Sequence, residues 1–514
     1  MFSIVHSFAL FGIEGRIVAV EADLRWAVPG IDIVGLPDGA VKEARERARV
    51  AIRNSGFDFP MERILVNLAP ADIRKEGASY DLPIAAAILA ASEQISQESL
   101  KNLLILGELN LSGEVKPVKG VLSAIGTALE AGFTRFLVPS ANMAEARILA
   151  SQGVMGLNHL GQIKDVLEGN LVISGERRDE FVNLSPLFLA EEEVDMADIK
   201  GHHRLKRAME VAAAGGHHLF LFGPPGSGKT MAARRLPGLL PDLAREEALM
   251  VTRIYSAAGL FHPQGLLRRP GFRAPHHTAS SEGVIGGGKN PRPGEVSLAH
   301  GGVLFLDEAP EFKKSLLQTL REPIEQQRVT ISRANGSVWF PASFQLVLAA
   351  NPCPCGNLGR KESTCHCAAR EIYRYWQRLG GALLDRIDIR VPLSPTSPEE
   401  LIGEKGESTE IIRQRVNRVV DIQARRYEGL GFKRNARLPP GMVDRFCILD
   451  KESRSVFTEA IKKMGLSSRA CHSVLKLART IADLDNSQMI LKYHLLEAVQ
   501  HRRYGDGDYY WSFG

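Results

Sequence analysis

Two consecutive α/β domains followed by a helical one are the fold class this sequence predicts, and three observations carry it. Over residues 1–170, short β-branched segments (Arg16–Val20, Ile31–Val34, Arg63–Asn67, Phe136–Val138) alternate with helix-like stretches such as Ala40–Asn54. A glycine-rich turn after the apolar run Leu219–Phe222 is followed by two more apolar runs, Gly302–Leu306 and Phe344–Ala350, as parallel strands buried on both faces require. After residue 395 only helical periodicity remains, over Ile411–Tyr427 and Arg454–Leu484. The expected divisions are a domain at 1–170, a linker at 171–200, a second α/β domain at 201–395 and a helical domain at 396–514. The linker rests on Ser-Pro breakers and on five acids gathered in Glu191–Asp198. A length of 514 residues agrees, since about 100–200 residues make a domain.

Composition bounds the function. With 44% hydrophobic and 24% charged residues, the chain is neither disordered nor fibrous. Its longest apolar run, Leu82–Ala91, falls well short of the ~18 residues of a membrane span, so no membrane association is expected. Met1–Glu14 is apolar but carries His6, Gly12 and Glu14 and lacks a basic start and a cleavage site. It does not read as a signal peptide, and the expected compartment is the cytoplasm. Lys and Arg total 64 against 59 Asp and Glu, a balance that permits a nucleic-acid partner without demanding one.

The most specific signal is Gly223, Pro224, Pro225, Gly226, Ser227, Gly228, Lys229 and Thr230, a phosphate-binding loop placed after a strand. Glycines let backbone N–H groups curl around phosphates, Lys229 reaches the β and γ oxygens of ATP, and Thr230 ligates Mg2+. The second apolar run ends in Asp307 and Glu308, the first suited to the magnesium shell and the second to polarising the attacking water. The third ends in Asn351, whose amide suits orienting that water at the carboxyl end of a strand. Arg386 is an arginine that a neighbouring subunit can project into the site, and Arg469 is a second candidate; a surface salt bridge is the alternative for each.

Of six cysteines, Cys353, Cys355, Cys365 and Cys367 fall within fifteen positions as a C-x-C…C-x-C set. Four thiolates fit a closed tetrahedral Zn2+ site, so structural zinc pinning the insertion 353–367 is expected, with reduced buried cysteines as the alternative. Gln327–Arg333 and Ser337–Phe340 read as a hairpin around Asn335-Gly336, with Arg333 near its tip. The loop Gly283–Arg292 joins flexible backbone to Lys289 and Arg292, a combination suited to close approach to phosphates. Ile411–Pro440 holds eight Lys and Arg against two acids, a local net charge of +6, readable as a solvated face, a subunit contact or a DNA surface.

Arg273-Ala-Pro-His-His-Thr278, Pro293-Gly-Glu-Val-Ser-Leu-Ala-His300, Phe305-Leu-Asp-Glu308, Leu320-Arg-Glu-Pro323, Asn351-Pro-Cys-Pro-Cys-Gly356 and Leu384-Asp-Arg-Ile-Asp388 together resemble the AAA+ ATPases of the magnesium-chelatase clade. Within it the match is closer to the ComM/YifB branch, known as competence-associated DNA helicases. The resemblance runs from about Gly201 to the end, and the N-terminal third matches too. It implies an AAA+ P-loop core with a C-terminal helical lid, Asn351 as sensor 1, Arg386 as the trans-acting finger and Arg469 as sensor 2. It also implies a homo-oligomeric ring, usually a hexamer. In related helicases the hairpin before sensor 1 points into the channel, which would set Arg333 against a DNA backbone.

Lys75-Glu-Gly-Ala-Ser79 resembles the nucleophile loop of Lon-type proteases, and Gly113-Glu-Val-Lys-Pro-Val-Lys-Gly120 the strand leading to their catalytic lysine. Aligning these places Leu122 where that lysine would stand, which argues against a Ser-Lys dyad, although Lys119 lies three residues earlier. A Lon-like α/β domain without peptidase chemistry is expected. Three readings share ATP hydrolysis: a motor acting on single-stranded, duplex or branched DNA, a chelatase-type protein-remodelling ATPase, and an ATP-dependent protease. The DNA motor leads, with branch migration during recombination of incoming DNA in natural transformation as its most concrete form.

Overall fold

The computed structural model describes residues 1–73, 75, 77–173, 194–261, 265–288, 291–333, 336–358, 364–395, 398–402 and 406–502. In β1 (Phe2–Phe11) and β2 (Glu14–Arg25), alternate side chains such as Val18, Val20 and Ala22 are fully buried, the period-2 pattern of a strand with one face on a core. The two strands pair antiparallel from Phe2 opposite Asp23 to Phe11 opposite Glu14, leaving Gly12 and Ile13 as the turn. Gly12 supplies the positive φ (+73°) that a tight turn of this kind favours.

β3 (Gly30–Val34), β4 (Arg63–Ala69), β5 (Leu103–Ile105), β6 (Arg135–Pro139) and β7 (Val154–Leu157) complete a mixed sheet of order β3-β4-β2-β1-β5-β6-β7. α1 (Gly39–Asn54) is capped by Asp38, whose carboxylate accepts from Val41 N at 2.8 Å. It buries Val41, Ala44, Ala48, Ala51 and Ile52 along one face. The apolar run at Leu82–Ala91 is α2 (Asp81–Ala91), buried on every side, as an all-apolar helix must be. α3 (Val121–Glu130) faces the next domain. No helix among the described residues is long and apolar enough to cross a membrane.

The second sheet is fully parallel, in the order β9 (Phe272–Arg273), β10 (Val303–Leu306), β13 (Gln345–Ala350), β8 (Leu219–Phe222), β14 (Ile389–Pro392). Its central strands are buried along their whole length, which explains their unbroken apolar runs. α4 (His203–Gly215), α5 (Lys229–Leu239) and α6 (Arg245–Ala258) flank it. β11 (Arg328–Arg333) and β12 (Gly336–Pro341) form the expected hairpin, paired from Arg328 opposite Pro341 to Arg333 opposite Gly336.

Two details differ from the sequence expectation. Residues 174–193 of the expected linker lie outside the described residues, but its last part is core: Met196 and Ile199 are fully buried beside Leu205 and Leu236. Asp195 there accepts from Thr409 N at 2.6 Å, 214 residues away, and so ties the segment to the helical domain. The periodic stretch Arg454–Leu484 is two helices, α10 (Lys451–Met464) and α11 (Ser468–Leu484). Gly465 at φ +58° ends the first and Ser467 caps the second. With α9 (Thr409–Arg426) and α12 (Lys492–Arg502), they share one continuous core with the parallel sheet.

Candidate functional site

The phosphate loop turns through Gly226 and Gly228 at φ +80° and +83°, and α5 starts at Lys229, so its first N–H groups face the loop. At Gly223 a β-carbon would meet Leu393 O at 2.3 Å, so only glycine fits between the strands. Lys229 is 8% exposed and donates to Gly223 O (2.6 Å), Pro224 O (3.0 Å) and Asn351 Oδ1 (3.1 Å). Thr230 Oγ1 donates to Asp307 Oδ2 at 2.7 Å. These bonds draw the loop, the end of β10 and the end of β13 into one site. Burial lowers the Lys229 pKa, while the charges of Asp307 and Glu308 oppose that shift.

Glu308 leaves β10 half-exposed, and His277 Nδ1 lies 3.7 Å from its Oε2. His277 itself packs against the His276 ring, centroids 4.1 Å apart and planes tilted by 33°, and makes an edge contact with Phe312. Arg386 and Arg469 meet on one carboxylate: Glu325 Oε1, on α7 (Arg321–Gln326), accepts from Arg386 Nη2 at 2.6 Å and Arg469 Nη2 at 2.7 Å. Burial alone would raise Glu325, yet the two guanidiniums hold its pKa below the usual value. Neither arginine is hydrogen-bonded to the phosphate loop among the described residues.

The four cysteines converge, with their sulfurs all within 4.8 Å of one another. Sγ atoms of Cys353, Cys355 and Cys365 are 3.3, 3.6 and 3.7 Å apart, close to the about 3.8 Å edge of a tetrahedron with 2.3 Å metal–sulfur bonds. Burial pushes the Cys353 thiol up to about 12, while the Asn357 backbone N–H draws Cys355 down to about 7. The loop leans on the nucleotide site, since a β-carbon on Gly356 would sit 2.9 Å from Pro225 Cγ. From behind, Trp376 Nε1 on α8 (Ala369–Gln377) donates to Pro352 O at 3.1 Å, and its ring meets Phe220 and Phe222 of β8.

Among the expected DNA contacts, Lys289 and the hairpin residue Asn335 lie outside the described residues. Arg333 holds the last rung of the hairpin ladder. Arg292 is exposed on a two-residue strand pairing with Gly287, and the neighbouring Gly286 packs against Ile331 of β11, so its loop and the hairpin are adjacent. The basic stretch after Ile411 is largely consumed within the chain. Arg413 pairs with Asp242, Arg415 with Glu210 and Glu407, and Arg426 with Asp483, while Arg437 donates to Ile324 O. The contacts to Asp242, Glu210 and Ile324 bolt α9 and the segment after it to the sheet domain, while those to Glu407 and Asp483 tie the helical domain to itself.

In the N-terminal domain, Leu122 is fully buried at the position expected of a lysine. The Lys119 side chain lies over Gly259 at the end of α6. The domains meet through Glu145, a buried carboxyl that accepts from Ser256 Oγ of α6 at 2.5 Å, Leu122 N at 3.0 Å and Asn142 Nδ2 at 3.0 Å. At a second contact Ile13, 3% exposed, packs in one cluster with Val338 and Phe340 of the hairpin. Sequence reasoning missed His277, Glu325 and Glu145. His277 stands inside the string Arg273–Thr278 and was findable there; the other two carry no local pattern.

Three family models match the chain. That for magnesium chelatase, subunit ChlI, matches residues 195–401; those for subunit ChlI of Mg-chelatase and for the ChlI C-terminal part match 20–142 and 406–502. The chain is 42% identical over 509 residues to competence protein ComM of Haemophilus influenzae and 41% identical over 502 residues to YifB of Salmonella typhimurium, covering 97% of both chains in each case. An archaeal Lon protease from Methanothermobacter thermautotrophicus is 29% identical over 140 residues, 26% of this chain and 21% of its own.

Proposed function

The chain belongs to the ComM/YifB family of magnesium-chelatase-like AAA+ proteins, and from that premise we propose that it is an ATP-driven, ring-shaped DNA motor that promotes branch migration during recombination of incoming DNA in natural transformation. AAA+ membership implies an ATPase. The observation that carries the reading is the union, in one constellation, of Lys229, Thr230–Asp307, Asn351 and Glu308, beside a hairpin that runs straight into the Asn351 strand.

In this reading Lys229 exchanges its carbonyl partners for β and γ phosphate oxygens, and the freed Asn351 amide turns to the lytic water. Thr230 and Asp307, a hydroxyl and a carboxylate 2.7 Å apart, offer the hard oxygen donors that Mg2+ prefers. Bound magnesium would neutralise the charge growing on the phosphoryl group. Glu308 takes the proton of the attacking water, with His277 holding its carboxylate. Arg386 and Arg469, joined on Glu325, leave that carboxylate for a neighbour's ATP when the ring assembles. The four thiols fit a structural Zn2+ held by Cys353, Cys355, Cys365 and Cys367. Buried Leu122 and the placement of Lys119 over Gly259 favour a Lon-like domain used for assembly or DNA entry over peptidase chemistry.

The test is the ATPase rate without DNA and with single-stranded, duplex and four-way-junction DNA, alongside oligomer mass. Stimulation by DNA in a hexameric species is expected, with Arg333→Ala removing much of the stimulation but not the basal rate. An ATPase indifferent to every DNA would leave the chelatase-type remodelling reading in its place.

A further inference from the structure

The N-terminal domain carries a cleft of about 490 Å3 at the β3 edge of its sheet, between that edge and α1. Arg45, Arg49 and Arg53 line it from one face of α1, four residues and so about 6 Å apart, and Arg63 of β4 lines it from across. Its two carboxylates are already engaged. Asp32 accepts from Arg63 Nη2 at 2.8 Å, and Glu46 lies 3.3 Å from Arg45 Nε.

Arg49 and Arg53 have no acidic partner among the described residues. Both guanidiniums lie over a single ring, Phe59, at 5.9 and 5.7 Å from its centroid. Two like charges one helical turn apart repel, and an anion between them relieves that repulsion. Two of the lining residues are apolar and exposed, Val28 at 81% and Met61 at 70%, and Trp26, two residues before Val28 in the chain, is 96% exposed. A tryptophan with that exposure gains nothing from the fold, and its indole face is a platform for a base.

We propose that this cleft binds one strand of nucleic acid, its phosphates on Arg49 and Arg53 and a base on Trp26. Duplex fits less well, because its bases are stacked on each other and cannot meet the indole. The site lies in a different domain from the hairpin, so a protomer would hold a displaced strand apart from the one in the channel. The proposal rests on the DNA-motor reading for the source of that strand.

The experiment uses the full-length protein and a fluorescein-labelled 20-nucleotide oligothymidine, with anisotropy recorded across a salt series. Arg49→Ala/Arg53→Ala is expected to weaken binding about tenfold and to make the slope of log affinity against log salt shallower by about 1.4, at about 0.7 per single-strand phosphate. Trp26→Ala is expected to weaken binding about tenfold with the slope unchanged. Basal ATPase rate and oligomer mass should stay at wild type in both, which also reports folding. Wild-type binding that neither variant alters overturns the cleft and leaves the motor reading standing. Failure of the wild type to bind or respond to any DNA overturns both. A shift of oligomer mass in the variants makes the cleft a contact between copies, and displacement of the oligonucleotide by a polyglutamate peptide as readily as by unlabelled oligothymidine makes it a docking site for acidic protein; either result overturns the proposal.

Discussion

Glu308 sits in the left-handed region, at φ +49° and ψ +45°, a conformation that costs a residue with a β-carbon about 1 kcal/mol and that recurs where a side chain must be aimed. Its neighbour Asp307 helps hold it, accepting from Glu308 N through Oδ1 at 2.9 Å while Oδ2 takes the Thr230 hydroxyl. Glu308→Gln keeps shape and loses the base, so ATP affinity should stay near wild type while turnover falls about 100-fold or more. Lys229→Ala should instead abolish nucleotide binding. Equilibrium binding of a fluorescent ATP analogue and a phosphate-release assay separate the two, and ordinary turnover by Glu308→Gln would remove it from the chemistry. A second residue-scale expectation concerns acid. Burial pushes His218 down to about 3 and His300 to about 4, and each Nδ1 accepts a backbone N–H, from Leu346 at 2.9 Å and Ser343 at 3.0 Å. Folded-state pKa values below the unfolded 6.5 mean that the unfolded chain takes up the protons. Stability is therefore full above about pH 6.5 and falls toward pH 4 by up to about 1.4 kcal/mol per pH unit for each histidine. Urea unfolding between pH 7 and 4.5 checks this. His218→Asn, which keeps an acceptor for Leu346 N–H, should flatten the slope even if it lowers absolute stability.

Among the elements, the cysteine loop ties the four clustered thiols to the glycine-rich loop, because Cys353 follows the end of β13 by three residues and Gly356 rests on Pro225. The protein is expected to carry one Zn2+ per chain. Cys353→Ser/Cys355→Ser should lose it, since hydroxyls replace two of four soft thiolates, and should weaken ATP binding through the unsupported loop. Metal analysis beside nucleotide affinity tests both, and a zinc-free wild type purified without chelator would refute the assignment. The convergence of the four cysteines was legible in the sequence because residues so close in the chain share one loop, and their sulfurs do lie within 4.8 Å of one another. The fate of the arginines after Ile411 was not. Arg413 finds Asp242 and Arg415 finds Glu210, partners 171 and 205 residues away, and no local pattern separates a paired arginine from a free one.

At the scale of the whole molecule, the N-terminal domain grips the ATPase at α6 through Glu145–Ser256 and at the hairpin through Gly12 and Ile13. A β-carbon on Gly12 would stand 2.6 Å from Val338 Cγ1, so the first turn of the chain braces the flank of the element expected to meet DNA. Ile13→Asp buries a charge in that contact and should cut DNA stimulation several-fold while leaving basal hydrolysis near wild type. An unaltered stimulation ratio in a steady-state ATPase assay would separate the domain from the hairpin. Ring assembly makes a second expectation: Arg386→Ala and Glu308→Gln, each inactive alone, should recover part of the ATPase rate when mixed. Each mixed interface can then pair an intact Arg386 with an intact Glu308. Native mass spectrometry must show mixed rings, and mixed rings without rescue would place Arg386 outside the neighbour's site.

Readable from the sequence alone were the glycine-rich turn at 223–230, Asp307 and Glu308 at the end of one apolar strand, Asn351 at the end of another and the clustering of four cysteines, because each depends on residues that one strand, turn or loop holds together. Only the tertiary structure decided that Lys229 meets Asn351 across 122 residues, that His277 stands at Glu308 and that Arg386 and Arg469 share Glu325. It also decided that the end of the expected linker is core and that Ile13 belongs beneath the hairpin. Those outcomes are set by packing and charge pairing between elements far apart in the chain, where the identity of one partner leaves the other unspecified.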